Sequence, residues 1–205
     1  VEQADENPEI FFIPVGGGGL ISGMSLYLKE KYPNSKIIGV ESEDAPTLYT
    51  SMKNGKPTSL DQVGLFVDGC AVKRIGNETF RISSKYVDDV VLVSIDETCA
   101  AIKDIYEDTR VMSEPAGALS VAGMKKFILE NNIKNKIVCV VNSGANLNFD
   151  RLRHVTERAE VGEGKELLLS VNIPETSGSF RSFCEVIGKR SISEFNYRYA
   201  NEKTA

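Results

Sequence analysis

Pro14-Val15-Gly16-Gly17-Gly18-Gly19-Leu20 is the stretch whose reading decides the fold. Before it, Ile10, Phe11, Phe12 and Ile13 form a short apolar run suited to a buried strand. After it, residues 20–32 read as a helix. Four glycines in a row are costly in chain entropy, and one or two would make a tight turn. The longer run fits a backbone that must come very close to something. A glycine-rich turn between a strand and a helix N-terminus presents several N–H groups in one direction. The helix dipole adds positive potential there, so the natural guest is a phosphate. The alternative is a turn with no ligand. The known phosphate motifs do not apply. Ile21 and Ser22 stand where the last glycine of G-x-G-x-x-G would fall, and no Gly-Lys-Ser/Thr is present.

The chain has 205 residues, 41% apolar and 26% charged, which is ordinary for a soluble globular protein of one domain or slightly more. Its net charge is −5 and it carries no basic run, so no nucleic acid is expected as a partner. No apolar stretch is long enough to span a bilayer, so no membrane is expected either. The acidic first residues, Val1 to Glu6, lack a signal pattern and an initiator Met. The chain is therefore expected to be a fragment, with any targeting segment upstream of it. Cys70, Cys99, Cys139 and Cys184 form no C-x-x-C pair and read as free thiols of a reducing compartment. A single histidine, His154, excludes a His-rich metal site and reads as a surface residue.

Strand and helix signals alternate along the chain. Residues 36–41 read as a strand, 45–54 as a helix ending at Gly55, and 56–69 mostly as loop. Residues 77–87 read as a helix and 90–93 as a strand. Ser94-Ile95-Asp96-Glu97 is a capping box that opens a helix to about Met112. Ser113-Glu114-Pro115 opens the next helix, with Pro at its first position and small apolar faces suited to close packing. Residues 137–141 form an apolar strand, and a helix runs over about 149–159. Strands apolar on both faces, alternating with helices, predict an α/β fold: a three-layer parallel sheet covered by helices. Ligands of such sheets sit beyond the carboxyl ends of the strands. Residues 16–19 and 143–146 both fall there, so they are expected to meet. Past the linker 162–164 the character changes. Residues 166–173 read as a strand, 177–187 as a helix, and 192–199 as a half-exposed strand with Phe195, Tyr197 and Tyr199 on one face. This predicts a truncated α+β domain over 165–205, following a first domain over 1–162.

Several segments together resemble biosynthetic threonine dehydratase (threonine ammonia-lyase), a fold type II pyridoxal-phosphate enzyme. They are Val15-Gly16-Gly17-Gly18-Gly19-Leu20, Gly39-Val40-Glu41, Phe66-Val67-Asp68-Gly69, Glu114-Pro115-Ala116-Gly117-Ala118 and Ser143-Gly144-Ala145-Asn146. Asn148-Phe149, Arg153 and Thr156-Glu157-Arg158 continue the likeness, which covers nearly the whole chain. Residues 98–105 and 123–126 lean toward eukaryotic, fungal members. The resemblance implies pyridoxal 5'-phosphate as cofactor and L-threonine, or L-serine, as substrate. It implies that Gly16, Gly17, Gly18, Gly19 and Leu20 hold the cofactor phosphate by backbone N–H groups. It places the Ser143 hydroxyl against the pyridine nitrogen and Glu114 near the ring. Residues after Gly164 resemble the start of an ACT-like regulatory domain that binds isoleucine. A homotetramer is implied for the full-length protein, with a mitochondrial location for the fungal type and cytoplasm or plastid otherwise. The family's Schiff-base lysine lies in an N-terminal segment, and no lysine here stands in that context. The chain alone is thus expected to be inactive and poorly behaved. Some relatives hold a cation at the position of Glu41 with a carboxylate six residues on. Thr47 stands at that spacing, so no metal is expected.

The chemistry of a serine at that place is arguable from its charge. A carboxylate would keep the pyridine nitrogen protonated and make the ring a strong electron sink. A neutral hydroxyl leaves the nitrogen unprotonated and the sink weaker, which suits coupled β-elimination better than transamination. The leaving hydroxyl needs a proton, and the bound phosphate is a nearby acid. A plainer role for Ser143 is a helix N-cap, and for Glu114 a first-turn charge on a helix dipole. A serine dehydratase or serine racemase is the neighbouring enzyme reading, disfavoured by the regulatory-like tail. A non-catalytic ligand-binding homologue is the reading from another class.

Overall fold

Residues 10 to 14 are all buried and form strand β1 (Ile10–Pro14), as a run apolar on both faces requires. The computed structural model describes residues 6–198. Three further strands follow: β2 (Lys36–Ser42), β3 (Asp89–Val93) and β4 (Val138–Val140). All pair in parallel, in the order β3-β2-β1-β4. Between and after them run helices α1 (Gly19–Lys31), α2 (Thr47–Asn54), α3 (Asn77–Tyr86), α4 (Ile95–Thr109), α5 (Pro115–Glu130) and α6 (Leu152–Gly162).

Alternation along the strands builds the predicted layers. Phe12, Ile38, Val40, Val91 and Val93 share one core with Cys99 and Ile102 of α4, Leu119 and Phe127 of α5, and Val155 of α6. Phe11, Ile13, Ile37 and Val90 share the other with Ile21 and Leu28 of α1, Leu48 of α2 and Phe80 of α3. α5 lies unusually near the sheet: a Cβ on Gly123 would fall 2.4 Å from Val40 Cγ2.

Most boundaries follow local chemistry. The capping box opens α4 as expected, with Glu97 N donating to Ser94 Oγ at 3.1 Å and Ser94 N donating to Glu97 Oε2 at 2.7 Å. The helix stops at Thr109, short of Met112, because Arg110 turns left-handed at φ 61°. α2 starts at Thr47, not Ala45, since Pro46 precedes it without helical backbone. The expected 149–159 helix is a 3-10 turn, Phe149–Arg151, followed by α6 to Gly162.

The order of the strands decides where a ligand can sit. The chain leaves β1 for β2 and β3 on one side, then returns past β1 to β4 on the other. The carboxyl ends of β1 and β4 therefore flank a topological switch point.

The chain divides into two compact units, one up to Leu167 and one from Leu168 onward. Within the second, α7 (Ser179–Ile187) is present as predicted. The strands expected over 166–173 and 192–199 are not formed among the described residues, and Tyr199 lies outside these. A strand exists only through a ladder with a neighbour, and an isolated ribbon is marginal in water. Leu167 and Leu168 are accordingly 78% and 82% exposed. Phe195 does pack, with its ring 5.0 Å from that of Phe180, and Tyr197 hydrogen-bonds Glu175. These residues line a cavity of about 300 Å³ with Ile173 and Thr176.

All four cysteines are free thiols, with Cys70 and Cys99 buried. His154 is exposed, its ring 5.4 Å from that of Phe66. No helix among the described residues is long and apolar enough to cross a membrane.

Candidate active site

Phe12 of β1 pairs with Val140 of β4, so the segments that leave these strands emerge side by side. Gly16 and Ser143 follow within a few residues of that pair. The predicted meeting of the glycine run with residues 143–146 is thus a direct result of strand order.

The glycine run is held by its carbonyls. Gly16 O accepts from Thr47 Oγ1 at 3.3 Å. Gly17 O accepts from Thr79 Oγ1 at 2.9 Å and from Gly76 N at 3.4 Å. Gly18 O accepts from Ser22 N at 3.0 Å, the first intrahelical bond of α1. Every peptide here is trans, so a carbonyl and the next N–H point in opposite directions. Drawing the carbonyls of Gly16 and Gly17 into the protein turns the N–H groups of Gly17 and Gly18 away from it. Among the described residues, no acceptor takes a hydrogen bond from the amides of residues 16–21. The first turn of α1 also carries no acidic side chain to offset its dipole.

Gly18 needs to be glycine for the fold itself, with φ 86° and Ile75 Cδ1 at 2.8 Å from any Cβ. Gly17 and Gly19 do not: a Cβ on either would meet nothing within 4 Å. Their bareness leaves open space beside the unpaired amides. Leu20 is 43% exposed at the same helix start.

On the other side of the crevice, Ser143 is exposed and its hydroxyl has no hydrogen-bond partner among the described residues. The helix-cap role for Ser143 does not hold, because the next helical turn is preceded by Asn148 instead. The segment is held by α5. Ser113 Oγ reaches Asn142 Oδ1 at 2.8 Å and Gly144 O at 3.2 Å, and Ser120 Oγ donates to Val141 O at 2.6 Å. Glu114 N donates to Gly144 O at 3.0 Å.

Glu114 is the N-cap of α5 rather than a first-turn residue, and its side chain caps nothing. Its carboxylate instead lies against the bare face of Gly144, where a Cβ would come within 2.0 Å of Oε1. A Cβ on Gly69 would lie 3.8 Å from the same oxygen, and one on Gly16 would lie 3.0 Å from Cys70 Cα. The 3-10 turn Asp68–Cys70 therefore bridges the glycine run to Glu114 and Gly144. Arg151 ties that turn to the far segment, bonding Phe66 O at 3.1 Å and pairing with Asp68 at 3.4 Å.

Two buried groups behind the crevice are shifted in their acidity. Burial raises Glu41 to about 7, although Tyr49 N, Leu48 N and Thr47 Oγ1 all bond its carboxyl group. Burial, then the charges of Glu41, Glu114 and Asp68, raises the Cys70 thiol to about 12, so it stays neutral and unreactive. Glu41 and Thr47 bond each other directly, and no cluster of metal-ligating side chains occurs among the described residues. None of the segments meeting here contains a lysine.

Sequence reading placed the glycine run, Ser143 and Glu114 at one crevice, and the structure brings them together. It named Thr47 only for a cation spacing and Ser113 only as a helix start, and did not name Thr79, although the three hydroxyls hold the two loops from three different helix starts. Isolated hydroxyl residues carry no signal in a sequence beyond their cap preference.

Comparison with known proteins decides what kind of crevice this is. A family model described as pyridoxal-phosphate dependent enzyme matches residues 1–144. The chain belongs to the pyridoxal-phosphate dependent enzyme family. A second model, the C-terminal regulatory domain of threonine dehydratase, matches residues 157–205. The biosynthetic L-threonine dehydratase IlvA of Pasteurella multocida is 54% identical over 207 residues, covering 100% of this chain and 40% of that protein. The mitochondrial threonine dehydratase of Saccharomyces cerevisiae is also 54% identical, over 92% of this chain and 33% of that protein. Equal identity to a bacterial and a yeast protein does not favour the fungal type. Among solved structures, the processed form of threonine deaminase isoform 2 from Solanum lycopersicum superposes with a TM-score of 0.75. It is 40% identical, over 77% of this chain and 46% of that one. The chain thus spans between a third and just under half the length of these relatives.

The cofactor of the family is pyridoxal phosphate. The crevice fits its two ends. Unpaired amides and bare glycines suit a dianionic phosphate at a helix start, and an exposed neutral hydroxyl at Ser143 suits a ring nitrogen.

Proposed function

We propose that this chain is part of a pyridoxal-phosphate dependent threonine dehydratase that converts L-threonine to 2-oxobutanoate and ammonia, the first step of isoleucine biosynthesis. Residues 1–162 are then the C-terminal portion of its catalytic domain. Residues 165–205 begin an ACT-like regulatory domain with L-isoleucine as effector, in a homotetramer. The observation that supports this reading best is the crevice at the switch point. There the uncommitted amides of residues 16–20 follow β1 while the loop that carries Ser143 follows its neighbour β4, under a chain-length likeness to threonine dehydratases.

The residues divide the work. Amides of Gly16, Gly17, Gly18, Gly19 and Leu20 bind the phosphate and anchor the cofactor. Bound there, pyridoxal phosphate supplies the electron sink for loss of the α-proton and β-hydroxyl of the substrate. Ser143 offers a hydroxyl to the ring nitrogen and adds no charge, which favours elimination. Glu114 flanks the same place, held back by Gly144 and the Asp68–Cys70 turn. The Schiff-base lysine comes from outside these segments. A location in the mitochondrion, as the name of the yeast relative has it, is one of three left open beside cytoplasm and plastid.

The test is an assay of the full-length protein for 2-oxobutanoate from L-threonine, with L-serine as competitor and L-isoleucine titrated in. Activity on threonine, lowered by isoleucine, is expected; inertness toward both amino acids overturns the reading. Ser143→Ala is expected to weaken cofactor binding by roughly 1 kcal/mol, about fivefold, and to lower turnover while the fold survives. Unchanged affinity and turnover would remove Ser143 from the site.

A further inference from the structure

The amides of the glycine run are aimed by hydrogen bonds to the carbonyls behind them, and those come from two side chains on two different helices. Thr47, the first residue of α2, reaches Gly16 O at 3.3 Å, and Thr79, in the first turn of α3, reaches Gly17 O at 2.9 Å. These carbonyls precede the N–H groups of Gly17 and Gly18 in trans peptides, so each hydroxyl fixes the direction of the amide that follows. Without them, a glycine peptide rotates at little steric cost. We propose that Thr47 and Thr79 are positioning residues for phosphate binding, preorganising the Gly17 and Gly18 amides for a phosphate dianion. The proposal rests on the reading of residues 16–20 as the phosphate site.

The surroundings of each hydroxyl support it. Thr47 is fully buried and touches two acceptors, Gly16 O and Glu41 Oε1, the latter at 2.9 Å. A hydroxyl has one proton to give. Thr47 Oγ1 donates to both, so its one proton is shared between Glu41 Oε1 and Gly16 O. Glu41 is fixed in turn by Leu48 N at 2.8 Å and Tyr49 N at 2.9 Å, so it holds Thr47 at a rigid helix end. Thr79 has Gly76 O at 3.0 Å as its second acceptor, and Gly76 N itself donates to Gly17 O. The start of α3 thus grips the Gly17 carbonyl twice. Preorganised donors hold a charge better than donors that must first be turned toward it.

A ligand pair that differs only in the phosphate separates this role from a general packing role. Pyridoxal 5'-phosphate and pyridoxal are titrated by absorbance into the apo form of the full-length protein. The wild type and the variants Thr47→Val, Thr79→Val, Thr47→Ser and Thr79→Ser are compared. Each valine variant is expected to lose about fivefold of the preference for the phosphorylated ligand, with pyridoxal affinity unchanged. Each serine variant, which keeps the hydroxyl, is expected to restore it. Thr79 lies near the surface, so its variant reports even if Thr47→Val unfolds. Equal weakening of both ligands, or a preference that valine leaves intact, overturns the proposal while the phosphate site stands. A wild type that binds both ligands equally overturns the phosphate site itself, and this proposal with it.

Discussion

Glu41 is the residue whose chemistry departs most from its sequence appearance. It reads as the polar end of a strand, yet it is fully buried and its carboxyl group is raised from 4.5 to about 7 by burial. The folded state therefore keeps the proton up to about pH 7, whereas the unfolded chain releases it near 4.5. Between these values the folded state binds more protons, so this group makes stability fall as pH rises. The full span is on the order of 3 kcal/mol. Glu41→Gln removes the titration and keeps one oxygen to accept from Leu48 N and Thr47 Oγ1, at the cost of the bond from Tyr49 N. Urea midpoints at pH 5 and pH 7 should differ less in the variant than in the wild type. An identical pH slope in both would show that Glu41 does not carry the effect. Cys70 is shifted by the same burial, and its thiol needs no role beyond packing in the core cluster that also holds Val67 and Ala116.

Among the elements, α5 does the most to build the site. Its start carries Ser113 and Glu114, its middle holds Val141 O through Ser120, and its face lies on the sheet. That face is made close by Gly123, where a Cβ would meet Val40 Cγ2 at 2.4 Å and Cγ1 at 2.5 Å. Gly123→Ala should therefore destabilise by roughly 1–3 kcal/mol through overpacking, offset by up to about 1 kcal/mol of helix propensity. Because the helix must back away from β2, the 142–144 loop it holds should shift with it. Thermal unfolding measures the loss, and Val40→Ala in the same background should relieve it, since the two side chains share one space. A loss that Val40→Ala leaves unchanged would place the strain elsewhere. α4 is set more locally, by its capping box, and then pinned to α6 by Lys103 with Glu163 at 3.1 Å and by the Arg158–Asp96 pair.

For the whole molecule, the division near Leu167 is the feature open to direct test. Residues 165–178 form no helix or strand, and Leu167 and Leu168 stand largely in water. Brief trypsin digestion should cut after Lys165 before it cuts after Lys125 or Lys126 within α5, because exposed irregular backbone enters a protease most readily. Mass spectrometry of the first products checks this, and first cuts inside α5 would contradict it. The same contrast marks what was legible in the sequence. Alternating apolar runs, the Ser94–Glu97 capping box, Pro115 and the glycine run are local patterns, and they determined the order of strands and helices and the crevice they would form. The left-handed turn at Arg110 that ends α4 has no such signal. Strands expected over 166–173 and 192–199 fit the sequence pattern equally well, but a strand needs a ladder partner, and pattern alone supplies none. Tertiary structure also chose the acceptors. Thr47 and Thr79 meet the glycine run, and Ser113 meets Gly144, across long stretches of chain. The sequence by itself determined the elements because propensity and periodicity act between near neighbours. Only the folded structure decided which hydroxyl faces which carbonyl, because that depends on the packing of whole helices against one sheet.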